Sequence, residues 1–114
     1  METPELKDRR AFERIPVDLP LRFVDMQSNK EGQAQTRDIS ANGIGLFTDE
    51  ELPPYTPLEM WLKLPDKTQP LYTKGRVVWS RWDDSKRYRV GVCLDKVDLM
   101  GLSSVLRYGL RWVM

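Results

Sequence analysis

Apolar and polar residues alternate along most of the chain. Val17, Leu19, Leu21 and Phe23 alternate with Asp18, Pro20, Arg22 and Val24. That is the period of a strand with one buried face. Residues 27–32 are a polar turn, and a second strand follows over 33–40. Asn42-Gly43 marks a tight turn, after which Ile44, Leu46 and Thr48 continue one strand face. Three prolines make residues 49–57 a loop. Leu58, Met60, Leu62 and Leu64 alternate with Glu59, Trp61 and Lys63, the clearest strand in the chain. A long strand spans 71–82, with Gly75 the expected bulge. After the polar loop at 83–86, Tyr88, Val90, Val92 and Leu94 alternate with Arg89, Gly91, Cys93 and Asp95.

The period changes at the C-terminus. Leu99, Leu102, Leu106, Leu110 and Val113 fall on one helical face, with Asp98 as N-cap. The pattern predicts six strands in hairpin order and one helix. With so little helix to cover their edges, six antiparallel strands favour a small closed barrel. Residues 1–8 read as a flexible leader and residues 9–114 as a single all-β domain.

Composition narrows the function. The 114 residues suit one domain. A net charge of +1 argues against a protein that coats DNA or RNA nonspecifically. There is no His, which removes Ser-His-Asp chemistry and histidine metal ligands. The single Cys93 excludes an internal disulfide and fits a reducing cytoplasm. No apolar run reaches membrane-spanning length, and the charged N-terminus does not read as a signal peptide. With no acid–base pair on a common element, no catalytic residue, metal site or cofactor is expected. The total charge conceals an asymmetry, because residues 74–114 carry 9 basic and only 4 acidic side chains. Arg also outnumbers Lys, 11 to 7, and its planar fork suits phosphates and guanine edges.

Two clusters carry candidate chemistry. The first is Arg9-Arg10-Ala11-Phe12-Glu13-Arg14. Its arginines can grip phosphates, or the O6 and N7 acceptors of guanine; alone it reads rather as a solvated leader balanced by nearby acids. The second is Asp38-Ile39-Ser40-Ala41-Asn42-Gly43. An Asp carboxylate only accepts, so it can pair with the N1–H and N2–H₂ donors of guanine. Gly43 allows positive φ and close approach by a ligand. Alone, this segment reads as a side-chain-capped turn.

Together, Arg10-x-x-x-Arg14 and Asp38-x-Ser40-x-x-Gly43 resemble the signature of the PilZ domain family. Residues 75–79 and 89–93 resemble the family's two later strands. The resemblance implies a six-stranded antiparallel barrel with a C-terminal helix, and a receptor for the bacterial second messenger cyclic di-GMP. It implies that Arg10 and Arg14 bind guanine and phosphate from a mobile segment. Asp38 and Ser40 would take a guanine edge, with Gly43 giving clearance. Arg9 beside the motif implies two ligand molecules per chain.

Other residues have two readings. Trp79 is a ligand contact or a packed aromatic. Trp61 and Trp82 read as structural, and Cys93 as a small core residue. Arg76, Arg81, Arg87 and Arg89 extend the ligand surface or form a solvated face. Val105, Tyr108 and Trp112 form a face for an effector protein or a homodimer, or pack on the barrel rim. Two alternatives stand beside the receptor: a ligand-independent protein-interaction adaptor, and a small RNA-binding barrel, which the charge disfavours.

Overall fold

The computed structural model describes residues 14–40 and 43–95. The helix expected over 98–113, the leader, Arg9, Arg10, Asn42 and the aromatic face at 105–112 lie outside the described residues. The strands are β1 (Ile15–Pro16), β2 (Pro20–Asp25), β3 (Lys30–Ile39), β4 (Gly43–Thr48), β5 (Pro57–Leu62), β6 (Leu71–Asp83) and β7 (Arg87–Leu94). All pairings are antiparallel. Strands β3, β2, β5, β6, β7 and β4 follow one another around the sheet, and β4 returns to pair with β3. The sheet therefore closes into the six-stranded barrel that the alternation favoured. Among the described residues no helix is long and apolar enough to cross a membrane.

The core is the set of residues that the period-two pattern turned inward. Val17, Leu19, Leu21 and Phe23 are buried, as are Ile44, Leu46, Leu58, Met60, Leu62, Leu64, Val77, Val90 and Val92. Each contributes about 1.5–3 kcal/mol by leaving water.

Three details differ from the expected pattern. The first strand is interrupted at residues 17–19, so β1 and β2 line the same side of β3 at its two ends. Thr36 bridges the gap: its hydroxyl accepts from Leu19 N–H at 2.8 Å and donates to Val17 O at 2.6 Å. A buried side chain thus replaces ladder bonds that the kink removes.

Gly75 is no bulge, for it pairs in register with Leu58 and Leu94. A Cβ there would stand 2.6 Å from Val92 Cγ1, so the absence of a side chain leaves room for side chains of the two neighbouring strands, Val92 on β7 and Met60 on β5. The irregularity in β6 lies between Val77 and Trp79 instead. Cys93 is exposed rather than core, because its neighbours Val92 and Leu94 take the inward positions.

Candidate ligand-binding site

The strand register assembles one row of residues across four strands. Asp38 on β3 pairs with Gly45 on β4, Gly45 with Gly91 on β7, and Gly91 with Trp79 on β6. The inward residues of these strands form the core, so this row faces outward. Its two central positions carry no side chain, and the outer residues lean over them. A Cβ on Gly45 would lie 2.6 Å from Asp38 Oδ1, and a Cβ on Gly91 would lie 2.3 Å from Trp79 Nε1. The carboxylate and the indole therefore lie on bare backbone.

β1 brings in the arginine. Ile15 pairs with Ile39 and Pro16 with Asp38, which fixes the preceding residue, Arg14, beside the end of β3. Arg14 Nη1 donates to Asp38 Oδ1 at 2.6 Å. On the other carboxylate oxygen, Arg37 Nε donates to Oδ2 at 2.9 Å. Asp38 thus sits between two guanidinium groups. The Arg14 side chain is 45% exposed, against 15% for Asp38. A partner that exposed contributes only about 0–1 kcal/mol of stability.

Ser40 and Gly43 close the β3–β4 connection. Ser40 N–H donates to Gly43 O at 2.9 Å, and Ser40 is 1% exposed. Its hydroxyl also reaches Gly43 O, at 3.4 Å. Gly43 lies under the arginine: a Cβ there would be 3.6 Å from Arg14 Nη2 and 3.0 Å from Val92 O. Close approach rather than positive φ is the use of this glycine, since no described glycine has φ above zero.

Trp79 is half-buried at the other end of the row. The guanidinium carbons of Arg37 and Arg81 lie 5.8 and 5.7 Å from its ring centroid. Arg81 and Arg89 pair with each other on the neighbouring outward row, and Arg76 pairs with Cys93. The C-terminal basic excess is therefore gathered partly on the face that holds Asp38. Arg87 stacks over Phe47 at 3.6 Å, a packing role. Trp61 is half-buried under Arg22 and beside Tyr72, whereas Trp82 is 60% exposed, unlike the structural residue expected. Clefts of about 350 and 410 Å³ lie elsewhere, lined by residues that include Phe23 and Gln33 and by Arg22 and Trp61.

The structure thus brings Arg14, Asp38, Ser40 and Gly43 together, with Trp79 at the far end of the same row. The sequence reading missed Arg37, Gly45 and Gly91. Gly43 and Gly45 stand two apart on one strand, a spacing that puts both on one face. That regularity was the available signal.

Gly45→Ala should displace the Asp38 carboxylate and weaken any ligand held by it, at a cost of about 1–3 kcal/mol. Side-by-side titrations of the variant and the parent chain check this; equal affinities would show that the clearance is dispensable.

A family model for the PilZ domain matches residues 8–108. The chain belongs to the PilZ domain family. A search of curated proteins gave no match. Among solved structures, the Bacillus subtilis inhibitor of motility (MotI/DgrA) matches this PilZ domain with a TM-score of 0.72 at 18% identity. The match covers 90% of this chain and 50% of that one. The PilZ domain of Escherichia coli YcgR, solved with c-di-GMP, matches with a TM-score of 0.66 at 12% identity, over 90% of both chains. PlzA of Borreliella burgdorferi, also solved with c-di-GMP, gives 0.62 at 12% identity, over 93% of this chain and 43% of that one. The likenesses are of fold. This PilZ domain spans half the length of the motility inhibitor and less than half that of PlzA.

Proposed function

We propose that this PilZ domain is a cytoplasmic receptor for cyclic di-GMP that signals through a partner protein. The observation that carries the reading is the meeting of Arg14 and Asp38, 24 residues apart, on an outer face floored by glycine. Asp38 supplies acceptors for the N1–H and N2–H₂ of guanine. Arg14 supplies a planar fork for a phosphate or for guanine O6 and N7. Gly43 and Gly45 admit a flat base close to the backbone. Ser40 holds the β3–β4 connection in shape. Trp79 offers a ring at the end of the row, flanked by cations that complement phosphate charge. Arg9 and Arg10, five and four residues before Arg14, complete the motif and provide for a second ligand molecule.

Binding on this reading is an exchange. In the empty site Arg14 and Asp38 satisfy each other, and the ligand takes both. Arg14 then turns from the strand to the ligand, and the segment before it follows. That change of partner is the signal another protein reads. The activity is binding rather than catalysis, in keeping with a chain that has no His.

Isothermal titration calorimetry with cyclic di-GMP tests the proposal. Saturable binding is expected with two ligands per chain, and Asp38→Asn should weaken it. Absence of heat and of chemical-shift change at high ligand concentration would overturn it. Size-exclusion chromatography with and without ligand separates a receptor from a ligand-independent adaptor, whose assembly would not respond.

A further inference from the structure

The register irregularity between Thr36 and Asp38 takes Arg37 out of the alternation of β3. In a regular strand Arg37 and Asp38 would point to opposite faces. Here they lie together, and Arg37 grips its own neighbour's carboxylate at 2.9 Å. The two arginines on Asp38 differ in how firmly they are held. The Arg14 side chain is 45% exposed and stands ahead of a two-residue strand. The Arg37 side chain is 20% exposed. It is set inside β3, with Nη2 lying 3.2 Å from where a Cβ of Gly45 would be and with its guanidinium near Trp79.

We propose that Arg37 is a positioning residue that makes Asp38 selective for guanine, an inference that rests on the receptor reading above. When a ligand displaces Arg14 from Oδ1, Arg37 stays on Oδ2. It fixes the plane of the carboxylate, so that both oxygens meet the guanine edge together. Each carboxylate oxygen has more than one lone-pair direction, so Oδ2 accepts from Arg37 and from the base at once. Arg37 also has a buried Nη1 without a hydrogen-bond partner. Arg14 contributes charge and grip, while Arg37 contributes discrimination.

The test compares cyclic di-GMP with cyclic di-IMP, whose hypoxanthine keeps N1–H, O6, N7 and the phosphates but lacks the exocyclic amine. The full chain should bind cyclic di-GMP more tightly by about tenfold or more, the worth of one charge-assisted hydrogen bond. Arg37→Met removes the fork while filling similar space, and should bring the ratio of the two affinities close to one. Arg14→Ala should weaken both ligands by a common factor and preserve the ratio. Arg37→Lys keeps a cation but cannot fix the carboxylate plane, so its ratio should fall as well. This variant decides the matter if Arg37→Met does not fold by circular dichroism. A parental ratio in either folded Arg37 variant overturns the proposal. Equal binding of both ligands by the parent chain overturns it too and leaves the receptor reading intact. Failure of the parent to bind either ligand overturns both.

Discussion

Thr36→Val should lower the stability of the domain by roughly 2–6 kcal/mol, the cost of leaving two buried backbone groups without partners. The substitution conserves volume, so no cavity accompanies it. What disappears is the hydroxyl that accepts from Leu19 N–H and donates to Val17 O. Both bonds lie in the interior, where Thr36 is 3% exposed and water cannot substitute. A domain of this size has about 5–15 kcal/mol of total stability, so the loss is a large share of it. Urea denaturation checks the value: the midpoint should fall with little change in slope. Thr36→Ser keeps the hydroxyl and should recover most of the loss. A midpoint for Thr36→Val within error of the parent would show that the kink at 17–19 is stabilised some other way.

Arg14→Ala should weaken cyclic di-GMP binding by about 2–4 kcal/mol, or 30- to 900-fold, because a guanidinium fork makes two charge-assisted contacts to one phosphate or base edge. One effect opposes this. Removing Arg14 also frees Asp38 from its partner in the empty site, which favours binding. That gain is small, since the Arg14 side of the pair is 45% exposed and such pairs are worth about 0–1 kcal/mol. The phosphate contact therefore dominates, and the net effect is a loss. Calorimetry at two salt concentrations checks it, because part of the lost energy is Coulombic and the variant should depend less on salt. Affinity equal to the parent's would place the ligand away from Arg14.

The fold was legible because a barrel has one inside and one outside. Alternation from Leu58 to Leu64 and from Val90 to Leu94 assigned the core face without knowledge of any partner strand. Cys93 was misplaced only where the general tendency of cysteine to be buried was preferred to the parity of its own strand. The motif residues Arg14, Asp38, Ser40 and Gly43 were legible through their resemblance to the PilZ signature. Arg37, Gly45 and Gly91 were not, since their roles depend on what lies across the sheet. Whether Arg37 shares a face with Asp38 is decided by an irregularity opposite β4. Whether Gly91 matters is decided by an indole twelve positions earlier, on another strand. The irregularity in β6 fell at Val78 rather than at Gly75 for the same reason: the position of a bulge reflects the pairing of two strands.

The row from Asp38 to Trp79 runs across the strands rather than along one, so its spacing is set by hydrogen-bond ladders and not by loops. A deletion of one residue within β4 or β7 would move the glycines to the inner face and send core side chains outward into their places. Changes in the connections have no such effect. The exposed turns at 26–29 and 65–70 can lengthen while the acid and the indole keep their distance. The domain therefore has fixed and variable parts that are separable by design. Reporter peptides or new docking loops can be inserted at those turns, and the three ladders of backbone hydrogen bonds that join β3, β4, β7 and β6 keep the ligand face in register.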